Sequence, residues 1–357
     1  MATQLNSKKL NSKNDSRVKK ISGIIIVALM PCVGLLCWSW QEIERFARTP
    51  LAIEQETIFT LPAGTSRAGL EALLRKNNVI TDSTLFQWLL RIDPRLAKFK
   101  AGTYRLMPAM QLREMLSLLS SGKEAQFSIR FVEGTTLRDW LHILQRAQYM
   151  QHQLTDKSAQ DIAQLLGMKN NTHPEGWFWP DTWQYTAGTS DLALLKRAHQ
   201  RMEKVVAEIW RKRDAALPYK TPNELLTMAS IIEKETALEH ERAKIASVFI
   251  NRLRLGMRLQ TDPTVIYGAG EKQTGTISRK DLATPTAYNT YIIDGLPPTP
   301  IATPGYASLI AAAHPASTPW LYFVTDGQGG HNFTTNLAAH NKAVAVYRRR
   351  ITARNEK

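Results

Sequence analysis

The residues most capable of chemistry stand at the end of one helix-forming stretch. Thr221-Pro222-Asn223-Glu224 reads as a helix start: Thr221 caps, Pro222 suits the first helical position and Glu224 completes a capping box. Leu225, Leu226, Met228, Ala229, Ile231 and Ile232 then surround most of the helix, a pattern that predicts burial. The same helix runs into Glu233-Lys234-Glu235. A carboxyl carried into an apolar setting loses solvation and its pKa rises. That is the state a general acid needs near neutral pH. Residues two apart on a helix lie about 200° apart. Glu233 therefore falls on one flank of the apolar face centred near Leu225 and Ile232, and Glu235 on the other. Periodicity alone does not choose between them. The competing reading is that both are partly exposed and pair with Lys or Arg.

Further polar groups follow at spacings that can complete a site. A second helix is expected over residues 243–255, closed by Gly256. Gln260-Thr261-Asp262 comes next, set before Pro263. These side chains can hydrogen-bond a ligand or orient an acid, although an Asp-Pro step equally marks a plain turn. Tyr288, Asn289 and Tyr291 offer aromatic surface and an amide, with core tyrosines as the alternative. Trp177, Phe178 and Trp179 divide the same way between ring stacking and core. His314, His331 and His340 form no His-Glu-x-x-His pattern, and there is no Gly-rich phosphate loop ending in Gly-Lys. The only cysteines, Cys32 and Cys37, share one apolar run, which excludes a cysteine zinc site and a disulfide framework. No metal and no cofactor are expected.

These residues need elements to hold them, and the chain is long enough for two modest cores. A hydrophobic fraction of 43% with nine tryptophans argues for a folded protein. The formal charge of +15 is spread along the whole chain without a nucleic-acid motif, so no nucleic-acid partner is expected. From Ile21 to Gln41 no residue is charged, and the run ends in Trp38-Ser39-Trp40. About 21 such residues can cross a bilayer core of about 30 Å, and the tryptophans suit its interface. A helix buried in a soluble core is the alternative. Before the run stand Lys8, Lys9, Lys13, Arg17, Lys19 and Lys20 against Asp15 alone. The positive-inside rule then makes residues 1–20 a cytoplasmic tail, 21–41 a transmembrane helix, and places the rest outside the cytoplasm.

Beyond the run, residues 54–122 read as a first unit. Ile58–Leu61 is a strand, Pro62-Ala63-Gly64 a turn, and Ser66–Lys76 a helix with Leu70, Leu73 and Leu74 on one face. A helix over Ser83–Ile92, a strand over Ala101–Leu106 and a helix over Met110–Leu119 complete it. Strand, two helices and strand resemble a LysM-like unit, a fold that often holds glycan; a spacer that binds nothing is the alternative. Residues 123–155 read as a connecting segment and 156–349 as a mixed α+β catalytic domain, so the fold class expected is α+β.

One resemblance covers nearly the whole chain from about Glu56. The stretch Met228–Gly268, the run Glu175-Gly176-Trp177-Phe178-Trp179-Pro180-Asp181-Thr182 and the run Thr284–Tyr291 resemble the endolytic murein transglycosylase (YceG-like) family. Gly295-Leu296-Pro297-Pro298, Ala302-Thr303-Pro304-Gly305 and Gly330-His331-Asn332-Phe333 add to it, while Thr299 stands where the family often has glycine. The resemblance implies a lytic transglycosylase cutting the MurNAc–GlcNAc β-1,4 bond within nascent peptidoglycan strands and leaving a 1,6-anhydro-MurNAc end. It implies Glu235, followed by Thr236, as the catalytic glutamate. It also implies that Gln260, Thr261, Asp262, Tyr288, Asn289 and Tyr291 bind the N-acetyl sugars. The partners it implies are peptidoglycan glycan strands, peptidoglycan synthases (penicillin-binding proteins) and the inner membrane, with the catalytic domain in the periplasm. A water-using muramidase and a non-catalytic glycan-binding scaffold are the rival readings.

Overall fold

A computed structural model describes residues 30–31, 33–169, 173–270 and 277–355. The expected basic tail and the first part of the expected span, residues 1–29, lie outside the described residues. Among the described residues no helix is long and apolar enough to cross a membrane. The fold is mixed α+β and divides by contacts into two units, with the boundary between Ala125 and Gln126.

The first unit is built on one antiparallel strand pair. Helix α1 (residues 33–47) leads into β1 (Thr57–Leu61), α2 (Arg67–Lys76), α3 (Phe86–Ile92), β2 (Gly102–Leu106) and α4 (Leu112–Ser121). β1 and β2 pair with Phe59 opposite Tyr104. Ser66 caps α2 by accepting from the Gly69 amide at 3.0 Å. α3 starts three residues later than its apolar pattern suggests. The Asp82 carboxylate accepts from both the amide and the hydroxyl of Thr84, and this local turn competes with the first helical turn. α4 opens with a Gln111–Glu114 capping box and closes on Gly122 at φ 73°. Leu61, Leu70, Leu74, Phe86, Leu90, Leu106 and Met115 form the core, joined by Ile43, Phe46 and Ala47 from the end of α1.

The second unit has two cores. Of residues 123–155, expected as a connecting segment, those from 126 onward contribute β3 (Phe127–Arg130) and α5 (Leu137–Gln145) to the first of them. α6 (Ala159–Leu166) and β4 (Thr182–Tyr185) complete that layer, and β3 pairs antiparallel with β4. Phe131 stacks on Trp140 with ring centres 3.7 Å apart, and Phe178 lies against Trp140. The long α7 (Asp191–Lys212) runs along this core with Leu194, Leu195 and Ala198, and reaches the second core with Met202 and Val206.

The second core surrounds α8 (Pro222–Glu235), which packs against α7, α9 (Glu239–Arg254) and α12 (Tyr306–Ala313). Leu225, Leu226, Met228, Ala229, Ile231 and Ile232 are all fully buried, as their pattern predicts. Thr221 caps α8, but Glu224 reaches one residue further back than a capping box requires and accepts from the Lys220 amide. α10 (Asp262–Ala269), α11 (Arg279–Ala283), the antiparallel hairpin β5 (Tyr322–Thr325) with β6 (His331–Thr334), and α13 (Leu337–Asn355) complete the unit. The site lies where the C-terminal end of α8 emerges from this core.

Candidate active site

The last turn of α8 presents Glu233 and Glu235 to different surroundings. Glu233 is held by structure. Its Oε2 accepts from the Gly305 amide at 3.0 Å and the Ser308 hydroxyl at 2.7 Å, both at the N-terminal turn of α12. Arg242 stands 3.6 Å from its Oε1, and both side chains are nearly closed to solvent. A carboxylate at a helix N-terminus meets orphan amides and the positive end of the helix dipole, so Glu233 serves to pin α12 onto α8. The loop over it is just as fixed. Gly134 donates to the Thr303 carbonyl at 2.8 Å, Thr303 donates to Thr135 at 2.8 Å, and Lys234 donates to the Gly134 carbonyl at 3.1 Å. Gly305 lets the Glu133 carboxyl lie directly against the chain; a Cβ there would push that side chain aside. Burial, and after it the Glu233 charge, push the Glu133 carboxyl above its ordinary range.

Glu235 ends the helix, and Thr236 leaves it in extended conformation at φ −149°. A helix C-terminus is where a carboxylate is least favoured by the helix dipole. Among the described residues the carboxyl accepts one side-chain hydrogen bond, from Thr261 Oγ1. The residue keeps partial solvent exposure, yet its carboxyl group is packed densely enough that burial pushes its pKa up to about 7. The Thr261 bond opposes that rise, the Asp262 charge adds to it, and His331 and Arg252 oppose it.

Thr261 is itself rigid. It is buried, its amide donates to Thr290 Oγ1 at 3.0 Å, and the Thr264 hydroxyl joins both residues. Gln260, just before it, sits exposed at φ 49°, a left-handed conformation uncommon for glutamine. Its amide donates to the Thr290 carbonyl at 3.1 Å. Asp262 is exposed at the start of α10 and accepts from the Tyr291 hydroxyl at 2.6 Å. Thr261, Asp262 and Tyr291 thus form a connected set around Glu235.

Asn289 and Tyr288 are placed differently. Asn289 is fully buried, and its amide donates to the carbonyls of Leu282 at 3.1 Å and Thr284 at 2.8 Å. Its Oδ1 accepts from the Tyr291 amide, so the whole group is spent shaping this loop. Tyr288 bonds Thr299 at 2.8 Å and lays its ring edge-on to Tyr267, with centroids 4.8 Å apart. Thr299, which stands where the family often has glycine, therefore has a defined use. Phe178 is core, while Trp177 and Trp179 are only partly buried. Trp177 donates to Asn223 Oδ1 at 3.1 Å. It lines a groove of about 670 Å³ with His173, His199, Glu203 and Pro298.

Sequence reasoning missed four further groups. Glu241 is buried and grips His331 twice, accepting from its amide at 3.0 Å and meeting its Nδ1 at 2.6 Å. Arg252 is buried above the Tyr322 ring and is fixed by the carbonyls of Leu321 at 2.7 Å and Leu259 at 2.8 Å. Burial lowers its pKa from the ordinary arginine value. Glu175 is a second buried carboxyl, raised to about 7 chiefly by burial. It accepts from the Leu137 amide at 2.9 Å and the Tyr267 hydroxyl at 3.0 Å. The start of α10 therefore touches Glu235 and its later turn touches Glu175. All four stand in the motifs that carry the resemblance, Glu241 and Arg252 within Met228–Gly268. For Glu175 and His331 the available signal was a titratable residue beside glycine in an otherwise apolar or aromatic run.

Comparison with known proteins finds similar chains. An endolytic murein transglycosylase of Bacillus subtilis (strain 168) is 34% identical over 338 residues, covering 89% of each chain. One from Streptococcus pneumoniae serotype 2 is 25% identical over 80% of this chain, which spans 57% of that relative's length. A crystal structure of a YceG-like protein from Listeria monocytogenes matches 81% of this chain and 99% of its own, with 28% identity and a TM-score of 0.50. The YceG-like family model matches residues 59–346, and the chain belongs to that family.

Proposed function

We propose that this protein is an endolytic murein transglycosylase and that Glu235 is its acid. The observation that carries the reading is Glu235 itself: a partly exposed residue whose densely packed carboxyl is raised to about 7 and, among the described residues, is held by a single side-chain hydroxyl. Below that pH the group is protonated and can donate; above it, it is ionised and can accept. A pKa near working pH allows one group to perform both steps.

Ordinary glycosidases use two carboxyl groups. Here one suffices if the second nucleophile belongs to the substrate. Protonated Glu235 gives its proton to the glycosidic oxygen between MurNAc and GlcNAc, and the C–O bond breaks. The MurNAc anomeric carbon takes on oxocarbenium character. The C6 hydroxyl of the same sugar then attacks that carbon and gives its proton to ionised Glu235. The products are a 1,6-anhydro-MurNAc end and a free GlcNAc hydroxyl, with no water consumed. Intramolecular attack has a high effective concentration, which replaces an activated water. Thr261 aims the acid. Asp262 and Tyr291 offer hydrogen bonds beside it, and His331 and Arg252 favour its ionised form in the second step.

In the same reading, Ile21–Gln41 anchors the chain in the inner membrane and the two units work in the periplasm. The strand–helix–helix–strand order of the first unit, with its antiparallel pair, supports a LysM-like glycan-holding role. Synthases that extend glycan strands are the fitting partners. The deciding experiment is mass analysis of products from purified glycan strands. Anhydro ends are expected; reducing ends bearing added water would replace the proposal with a muramidase, and intact strands with a binding scaffold.

A further inference from the structure

The first unit carries an apolar groove that the transglycosylase reaction does not use. It has a volume of about 690 Å³ and lies between the start of α1 and the stretch from Asp82 to Ile92. Leu36, Trp38 and Trp40 line it from α1, and Leu85, Trp88 and Ile92 from the other side. Five of these side chains are exposed: Leu36 is 69% exposed, Trp38 60%, Trp40 57%, Trp88 54% and Ile92 39%. Trp88 and Ile92 are four residues apart on α3, hence on one face. Folded domains rarely leave such a patch without a use.

We infer that this groove is a seat on the bilayer, with Trp88 and Ile92 entering the interfacial layer of the lipid beside Trp38 and Trp40. The inference rests on reading Ile21–Gln41 as a membrane span. Its own observation is the absence of any linker. Residues 33–47 form one continuous helix, and Ile43, Phe46 and Ala47 at its end are buried in the first unit's core. From Trp40 to Ile43 is three residues, about 4.5 Å along the axis. A span ending at Gln41 therefore sets the first unit directly on the lipid surface, with no slack to lift away.

The composition of the groove fits an interface rather than a second protein core. Tryptophan is enriched at the headgroup level, where one edge of the ring is wet and the other apolar. The Arg91 guanidinium lies 5.3 Å from the Trp88 ring centre, so its stem can follow the ring while its charge stays among headgroups. Asp82, Thr84 and Glu42 also line the groove, polar groups that suit the headgroup layer. Such a seat keeps the first unit among the glycan strands closest to the bilayer.

The test uses the full chain reconstituted in phosphatidylethanolamine–phosphatidylglycerol vesicles. An environment-sensitive fluorophore is attached at Trp88→Cys or Ile92→Cys in a Cys32→Ala, Cys37→Ala background. Cys37 itself, labelled in Cys32→Ala alone, reports on the span. With headgroup-proximal nitroxide lipids, the labels at 88 and 92 should show blue-shifted emission and loss of intensity. Quenching at 37 with water-like, unquenched emission at 88 and 92 would overturn the seat and leave the anchor standing. No quenching at any position would remove the anchor and the seat with it. A blue shift at 88 and 92 without lipid quenching would mean that protein, not lipid, fills the groove, and the inference fails.

Discussion

On one flank of the last turn of α8, the Glu233 carboxylate meets an amide, a hydroxyl and a guanidinium and closes the joint with α12. On the other flank, two residues later, the Glu235 carboxyl meets one side-chain hydroxyl among the described residues, although the residue as a whole keeps partial exposure. The chemistry of the two side chains is identical. What differs is how many donors face each one. A carboxyl that burial desolvates without full compensation is driven toward its protonated form, which is the form that can act on a glycosidic oxygen. Both glutamates are removed from bulk water, so burial alone does not mark the acid.

The sharpest way to break this comparison is to neutralise each glutamate in turn. Glu235→Gln keeps shape and most hydrogen bonding but cannot donate a catalytic proton. Release of anhydro-ended fragments should fall by about 10²–10⁴-fold, roughly 3–5 kcal/mol of barrier, with circular dichroism unchanged. Near-normal release from the folded variant would remove Glu235 from the mechanism. Glu233→Ala should do the reverse. It leaves Arg242 buried without its carboxylate and the α12 amide at Gly305 without an acceptor. Denaturant melts should show a loss of stability of roughly 2–4 kcal/mol, larger than the effect of the variant on turnover per folded molecule. A stable Glu233→Ala protein that has lost all activity would reverse the two assignments.

A third test reads the same contrast through stability. Glu235 and Glu175 both have folded pKa values raised to about 7. Between the ordinary glutamate value and about 7 the folded state binds more protons than the unfolded one, so stability falls as pH rises through that window. Glu235→Gln removes its own contribution and leaves that of Glu175. It should stabilise the protein by roughly 1–3 kcal/mol above pH 7, discounted for partial exposure, and by almost nothing below pH 4. Thermal melts across that range measure the difference. Equal stabilisation at both ends would show that burial does not hold this carboxyl in its protonated form.

Much of α8 was legible in the sequence because helix signals are local. Thr221, Pro222 and the apolar run lie within a few turns of one another, and the structure uses them nearly as read. The elements of the first unit were legible for the same reason; α3 was misplaced only where the Asp82–Thr84 turn intervened. The site was half legible. Glu235, Thr261, Asp262 and Tyr291 came together, but Asn289 turned out to be spent on its own loop. The deciding contacts span long stretches of chain: Glu233 reaches Ser308 across 75 residues, Glu241 reaches His331 across 90, and Glu175 reaches Tyr267 across 92. No periodicity encodes such pairs; packing of the finished core makes them. That is also why the choice between Glu233 and Glu235, open on the helical wheel, becomes a question of which flank has donors.

The smallest effect expected concerns the imidazole near the acid. His331 sits on β6 with Nδ1 2.6 Å from the buried Glu241 carboxylate, and its ring lies edge-on to Phe323. Among the described residues, Glu241, Asp326 and Glu235 are acidic groups acting on it, and Arg252 is a second cation acting on Glu235. A positive charge at His331 favours ionised Glu235, which helps the acid accept the C6 proton but lowers the pH at which it stops donating. His331→Gln keeps a donor toward Glu241 and can carry no charge. The Glu235 pKa should then rise, and the alkaline limb of the pH–rate profile should move upward by less than about one unit. The limb should move while the substrate KM changes little, because a lost packing contact alone would lower activity evenly at all pH values. Arg252 remains in place in the variant and limits the size of the shift. A His331→Gln profile that scales down uniformly without moving would assign His331 to scaffolding. A shift to lower pH would mean that the ring does not act on Glu235 as a cation.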